Sequence, residues 1–326
     1  MIQENDSIRK EIEILRILSE FASPMGSTLL KRELRKRGFL LSERTVRYHL
    51  QLLEAKGFVQ GHNQKGRKIT QLGLEELSRS LATQRLGFTT TRFMALAYSA
   101  NYSPAVDSGT VVTNVSLLDK SLQDKTMSTM KALQSMSLLS APYLKVLNEK
   151  EEYGDIAVPK GQFALLTVCN LTLDSILIQS GIPLFFKHGG LVQVVNHKPI
   201  RFVEIISYEG TTIPPLEVFV YRKMTSISSI LKTGSGMMLA TLREIPSEAR
   251  EKTVKILENQ QKKGWGGILV LGEPNEPVLG VPIGMDRFGI CMVGGIVPGA
   301  AMVEEKEQTV TFGPHCIIPI EEMTRI

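Results

Sequence analysis

Ser42-Glu43-Arg44-Thr45-Val46-Arg47-Tyr48-His49-Leu50-Gln51-Leu52-Leu53-Glu54-Ala55-Lys56-Gly57 is the stretch from which the rest of the chain can be read. Ser42 is placed to cap a helix and Gly57 to end it. At about 100° per residue, Val46, Leu50, Leu53 and Gly57 fall on one side, while Arg44, Arg47, Tyr48 and Gln51 fall within an arc of about 100° on the other. One side packs. The other offers the residue types that touch nucleic acid: Arg bridges two acceptors of guanine, Gln does the same for adenine, and Tyr reaches phosphate or stacks. His49 reads as a packed or locally bonded residue, since no second metal ligand lies near it.

The flanking segments fit the same module. Upstream, Ile8, Ile12, Leu15, Leu18 and Phe21 recur at helical spacing, which predicts a helix over 7–21 that Ser23-Pro24-Met25-Gly26 breaks. A second helix fits 27–37, with Ser27 as its N-cap and Gly38 as its stop. Downstream, Phe58-Val59-Gln60-Gly61 and Lys68-Ile69-Thr70 read as the strands of a hairpin around Asn63-Gln64-Lys65-Gly66-Arg67, a wing with Lys65, Arg67 and Lys68 at its end. Residues 70–77 close the unit with a further helix. This order is that of a winged helix-turn-helix over 1–84, with Lys31, Arg35, Arg44, Thr45, Arg47, Tyr48, Gln51, Lys65, Arg67 and Lys68 as its candidate DNA contacts.

Charge agrees with that reading. Residues 1–85 hold 16 Lys/Arg against 10 Asp/Glu, and residues 86–326 hold 22 against 23, so the whole positive excess sits on the head. Between Ser27 and Lys68 there are 11 basic and three acidic residues. A charge run alone is a solvated face; carried by a capped helix and a hairpin, it would displace counterions from a duplex and make binding fall steeply with salt.

A length of 326 residues calls for two domains. Cys169, Cys291 and Cys316 are too few and too scattered for a disulfide framework, which points to a reducing cytoplasm. The start MIQENDSIRKEIEIL has no signal-peptide pattern. The uncharged run 288–303 is short for a membrane span and carries Pro298 and four glycines, so it reads as buried strands.

Over 85–326, strand-like and helix-like segments alternate. Strands are expected at 109–115, 163–168, 190–195, 201–206, 237–243 and 268–271, and helices at 122–136, 172–179 and 247–263. The fold class is therefore mixed, α+β or α/β, with a larger mixed-sheet effector domain behind the head. Glycines cluster at Gly189-Gly190, Gly234-Ser235-Gly236, Gly264 with Gly266-Gly267, and Gly294-Gly295, none of them a phosphate loop or dinucleotide fingerprint. An internal echo pairs Gly181-Ile182-Pro183 and Gly189-Gly190 with Gly280-Val281-Pro282 and Gly294-Gly295, at unequal spacings. Catalytic chemistry and metal sites find no support: His315-Cys316 are adjacent, the other histidines share no metal spacing, and Cys169 reads as a core residue. An enzyme acting on a small keto acid with an appended DNA-binding head, and a pure interaction module, stand as alternatives to a metabolite sensor.

The ordered run Thr167-Val168-Cys169-Asn170-Leu171-Thr172, Gly181-Ile182-Pro183, Gly189-Gly190, Tyr208-Glu209-Gly210-Thr211-Thr212, Pro215-Leu216-Glu217-Val218-Phe219, Thr233-Gly234-Ser235-Gly236, Arg243-Glu244-Ile245-Pro246 and Gly280-Val281-Pro282 resembles the archaeal nitrogen regulatory repressor (NrpR) family. The resemblance implies a repressor of nitrogen-assimilation genes that binds a two-fold operator and releases it when 2-oxoglutarate rises. It implies an effector rather than a cofactor, a homodimer or higher oligomer, and room for a second NrpR-domain protein, because this chain carries one regulatory domain where some members carry two. A dicarboxylate needs amide or hydroxyl donors and a cation. The candidates taken from the glycine- and hydroxyl-rich segments are Cys169, Thr172, His188, Gly189, Gly190, Thr211, Thr212 and Gly295.

Overall fold

The computed structural model describes residues 2–21, 23–61, 66–79, 88–154, 156–305 and 309–326, and the chain divides into two units, Met1–Arg85 and Leu86–Ile326. In the first, α1 (Ile2–Glu20), α2 (Ser27–Lys36) and α3 (Glu43–Ala55) precede β1 (Val59–Gly61), β2 (Arg67–Ile69) and α4 (Gln71–Arg79). Ile14, Leu15, Ile17 and Leu18 of α1 pack on Leu30, Leu34, Val46, Leu50, Leu53 and Val59, the core that the helical spacing requires. Ile8 and Phe21, at the ends of that stripe, remain 41% and 37% exposed.

Two local details decide how the head is held. The N-cap of α2 is Gly26 and not Ser27, which is the first helical residue and turns its hydroxyl to Glu43 instead. On α3 the expected cap is present: Ser42 Oγ accepts from the Thr45 amide at 3.1 Å. Met25, in the α1–α2 connection, pairs with Arg67 of the hairpin through two backbone bonds of 2.9 Å. Gly66 beside that bridge has φ +115°, and a Cβ there would stand 2.2 Å from the Met25 carbonyl carbon, so the wing's return requires glycine.

The second unit runs α5 (Phe88–Ser99), β3 (Thr110–Asp119), α6 (Gln123–Ser135), β4 (Tyr143–Leu147), β5 (Glu152–Tyr153), β6 (Ile156–Ala157), β7 (Gln162–Val168), α7 (Leu171–Gln179), β8 (Phe185–Val195), β9 (Lys198–Ser207), α8 (Pro215–Tyr221), α9 (Ile227–Thr233), β10 (Gly236–Pro246), α10 (Arg250–Lys262), β11 (Ile268–Leu271), β12 (Arg287–Val293), α11 (Val297–Val303), β13 (Val310–Pro319) and β14 (Thr324–Arg325). Two five-stranded sheets, ordered β11-β12-β10-β8-β9 and β13-β3-β7-β4-β14, are antiparallel at every pairing, which makes the class α+β. The uncharged run 288–303 is one strand and one helix, β12 and α11, where the sequence alone suggested strands throughout.

Apart from the two-residue strands β5 and β6, which pair with each other, the order strand, helix, strand, strand, helix, strand occurs twice, as β3-α6-β4-β7-α7-β8 and as β10-α10-β11-β12-α11-β13. Each sheet takes the last strand of the other repeat: β13 pairs with β3, and β8 pairs with β10. The second unit is therefore built from two like halves, but not in the register of the glycine echo. Gly181 follows the end of α7, whereas Gly280 sits in the tight turn bridged by Val278 and Val281. The true counterpart of Gly294-Gly295, between β12 and α11, is Cys169-Asn170, between β7 and α7.

Close contact at Gly299 fixes α11 on β3 and β13. A Cβ there would lie 2.1 Å from Thr311 Oγ1 and 2.4 Å from Ser116 Oγ, two hydroxyls already bonded to each other at 2.9 Å. Gly299→Ala is expected to destabilise the chain by about 1–3 kcal/mol in denaturant unfolding, the usual range for overpacking. Unchanged stability would show that α11 does not lie as close as described.

Candidate functional site

On the head, α3 turns Arg44, Arg47, Tyr48 and Gln51 to solvent, while Val46, His49, Leu50 and Leu53 are buried. One of the outward groups is preset. Arg47 donates to Glu43 at 2.5 Å and to Ser27 Oγ at 3.3 Å, and Glu43 also accepts from Ser27 and Thr28. The Ser27 hydroxyl and the Arg47 guanidinium hold the Glu43 carboxyl below the usual range. The Thr45 hydroxyl is 2.8 Å from Ser42 Oγ and so serves the cap.

Arg67 is not a free wing tip. It lies on β2 and gives Nε and Nη2 to Glu54 at 2.9 and 2.8 Å, and the same carboxylate accepts from the Gly61 amide, so Glu54 clamps the hairpin to the end of α3. Arg37 and Lys56 are likewise spent on Glu13, Glu20 and Glu11. Lys31, Arg35, Arg44 and Lys68 are exposed and have no ion pair among the described residues. Lys65 lies outside the described residues.

In the larger unit, Cys169, Asn170 and Leu171 from one repeat meet Gly295 and Ile296 from the other, and a cavity lies beside them. The bonds across this junction are reciprocal. Asn114 Nδ2 on β3 donates to the Gly295 carbonyl at 2.8 Å, and Asn170 Nδ2 reaches Thr241 Oγ1 on β10 at 2.9 Å. At Gly295 a Cβ would stand 2.8 Å from Cys169 Sγ and 3.0 Å from Asn114 Nδ2, so the two loops touch without room for a methyl. The connection between the repeats supplies the roof, with Tyr208 and residues 214–217.

The charged wall is Arg243. It is 1% exposed, and it donates Nε and Nη2 to Asp174 on α7 at 3.2 and 3.0 Å. Its guanidinium lies 4.0 Å from the Phe186 ring centroid and 5.5 Å from that of Tyr208, within a cluster of Phe93, Phe186 and Tyr208. Nη1 of Arg243 has no hydrogen-bond partner, a condition that native interiors seldom leave unexplained. Burial pushes the Tyr208 phenol and the Cys169 thiol each up to about 12, so both are neutral donors and Cys169 is no thiolate nucleophile.

Of the effector candidates, Cys169 and Gly295 line this cavity, and Gly189 backs its wall, where a Cβ would meet Pro215 at 2.9 Å. The others are elsewhere. Thr172 bonds both backbone groups of Val112, and Gly190 lies so close to β9 that a Cβ would meet the Glu204 carbonyl oxygen at 2.2 Å. Thr211 closes its own turn with Ile213, and Thr212 is half-buried beside it. His188 faces a separate open cleft with Lys187, Glu244 and Arg287, where burial and then Lys187 lower its proton affinity. Arg243, Asn114, Asn170, Thr241 and Glu217 were not among those candidates. The available signal was charge: Arg243 and Glu244 stand in the mainly apolar run 237–245, and Asp174 is the one charged residue in 171–178.

Comparison with known proteins gives these features a family. Residues 86–325 match the family described as NrpR regulatory domains NRD1 and 2. The chain belongs to the NrpR family. Residues 12–77 match the ribonuclease R winged-helix domain. The chain is 37% identical over 297 residues to the global nitrogen regulator NrpRI of Methanosarcina mazei, covering 91% of each. It is 34% identical over its full length to the global nitrogen regulator NrpR of Methanocaldococcus jannaschii and 27% identical to that of Methanococcus maripaludis, spanning 56% and 50% of those longer proteins. The crystal structure of a nitrogen repressor-like protein from Methanococcus jannaschii shares the fold, with a TM-score of 0.61 at 24% identity over 72% of this chain and 96% of that one. Membership of NrpR, with a winged-helix head, places the chain among nitrogen-related transcriptional regulators and not among enzymes. Among the described residues no helix is long and apolar enough to cross a membrane.

The ion pair of this NrpR domain yields a direct test. Asp174→Asn leaves the Arg243 guanidinium buried without its counter-charge, and a loss of about 3–5 kcal/mol in denaturant unfolding is expected. A variant as stable as the parent would mean that Arg243 has another anion.

Proposed function

We propose that this chain is a repressor of nitrogen-assimilation genes that grips an inverted-repeat operator through its winged helix and lets go when 2-oxoglutarate binds the larger domain. The observation that carries the reading is α3: four groups suited to bases and phosphates face outward from a helix whose opposite face is fully buried, in a chain of a nitrogen-regulator family. Two heads on a two-fold operator require a homodimer or a larger assembly, with recognition helices about 34 Å apart. The longer relatives, of which this chain spans about half, leave room for a second NrpR-domain chain in that assembly. The cavity beside Arg243 supports effector binding in chemical terms, since it is lined by a buried cation with an unpaired donor nitrogen, the group a carboxylate needs.

Fluorescence anisotropy on an inverted-repeat duplex, selected by the protein from a random pool, tests both halves. 2-Oxoglutarate is expected to weaken operator binding by about 5–150-fold, the range of ordinary allosteric coupling. An operator affinity indifferent to saturating 2-oxoglutarate would remove the release mechanism.

The contacts divide by role. Arg47→Ala is expected to cost about 1–3 kcal/mol on the selected operator and little on random duplex, whereas Lys68→Ala weakens both alike and flattens the salt dependence. Equal losses on both duplexes for Arg47→Ala would take base reading away from it.

A further inference from the structure

We propose that the Arg243 cavity is a proton-linked receptor for a dicarboxylate: one carboxylate docks on the open Nη1 of Arg243, and the ligand enters by loosening the Glu217 clasp while Glu217 takes a proton from solvent. This rests on the effector reading above and adds to it a residue, a gate and a sign.

The gate follows from size. The cavity encloses about 20 Å³, the space of a single water. A dicarboxylate therefore enters only if a wall moves, and the roof, Tyr208 with residues 214–217, is the wall that lies outside both sheets. Thr90 Oγ1 holds the Tyr208 carbonyl at 3.1 Å; Glu217 accepts from the Gly313 amide at 2.8 Å; the Tyr221 hydroxyl donates to the Thr311 carbonyl at 2.8 Å. Glu217 is the charged one of these ties and itself lines the cavity.

The sign follows from charge. Arg243 and Asp174 cancel, Tyr208 is neutral, and Tyr221 beside Glu217 is a phenol, so Arg92 of α5, which is exposed, is the cation left to face Glu217. His315 of β13 lies against the Phe312 ring. An incoming dianion brings its charge beside an ionised Glu217, and among the described residues the exposed Arg92 offsets that repulsion only in part. Burial already favours the protonated form of this carboxyl, and the ligand's charge shifts it further the same way. Binding therefore takes up a proton: affinity rises as pH falls from the Glu217 pKa of the complex to that of the free protein, and is flat outside that window.

Isothermal titration of the full chain with 2-oxoglutarate, from about pH 5.5 to 8 and in buffers of different ionisation enthalpy, measures this directly. Proton uptake approaching about one per ligand is expected, with Kd tightening up to about tenfold per pH unit. Glu217→Gln, checked for an unchanged melting temperature, should bind without the pH slope and more tightly than the parent at the upper end. If 2-oxoglutarate binds the parent without proton uptake, or if Glu217→Gln keeps the slope, this inference falls while the effector reading stands. If 2-oxoglutarate fails but glutarate binds with a slope that Glu217→Gln removes, the receptor stands and the effector is another dicarboxylate. Binding of no dicarboxylate overturns both. Binding of L-glutamate in place of 2-oxoglutarate and glutarate, tighter as pH rises, overturns the proton-uptake receptor, because its ammonium would use the ionised Glu217.

Discussion

A guanidinium and a carboxylate stand together, both buried, and the larger domain is arranged around them. Removing Arg243 and Asp174 from solvent costs several kcal/mol per ion, more than packing alone would tolerate. The cost is offset locally by two hydrogen bonds between them and by the Phe186 face at 4.0 Å. Apolar residues of like volume would commonly serve stability as well or better. A pair kept in this position, with one donor nitrogen unused, is better explained by what it can bind than by what it holds together.

Strand exchange makes that pair conditional on the whole domain. Arg243 belongs to β10 of the second repeat and Asp174 to α7 of the first, so neither charge is compensated until both repeats have assembled. The corresponding helix of the second repeat, α11, carries Gly299 against the hydroxyls of Ser116 and Thr311 and has no charged residue. The duplication thus supplies a near-symmetric junction of two loops, and divergence places a charge on one side of it. The connection between the repeats, present once, roofs that same side through Tyr208 and α8.

The head was legible because each of its helices buries one face and exposes the other, and because turn residues mark its ends. The miss at Ser27 was a choice between adjacent residues, decided by the reach of its hydroxyl to Glu43. The larger domain hid more. Its central strands are buried on both faces: on β7, Ala164, Leu166 and Val168 join one core cluster while Phe163 and Leu165 join the other, which erases the alternation a strand shows at a surface. α8, α9 and α11 have seven residues each, too short for a helical period to register. The repeat was obscured because equivalent loops read Cys-Asn in one half and Gly-Gly in the other. Glycines drew attention to the effector site, yet most of them serve turns and sheet contacts. The residues that make the cavity polar are single side chains on strands, whose shared location depends on the exchange of β8 and β13.

On the head, the arrangement of arginines bears on how DNA could be read at all. Arg47 is already bonded to Glu43, so contact with a base edge must replace that bond. The exchange is favourable because an exposed ion pair is worth about 0–1 kcal/mol, and a well-aligned bidentate contact to guanine discriminates by about 1–3 kcal/mol. Holding the side chain near Ser27 in advance also reduces the rotamer entropy to be lost on docking. Arg67 is in a different position. Its two bonds to Glu54, and that carboxylate's third bond to the Gly61 amide, keep the wing in place, so drawing Arg67 off to a phosphate would loosen the hairpin that presents Lys68. The basic residues of the head therefore fall into two groups: Arg67, Arg37 and Lys56 shape the module, and Lys31, Arg35, Arg44, Arg47 and Lys68 are those that the proposed function assigns to the duplex.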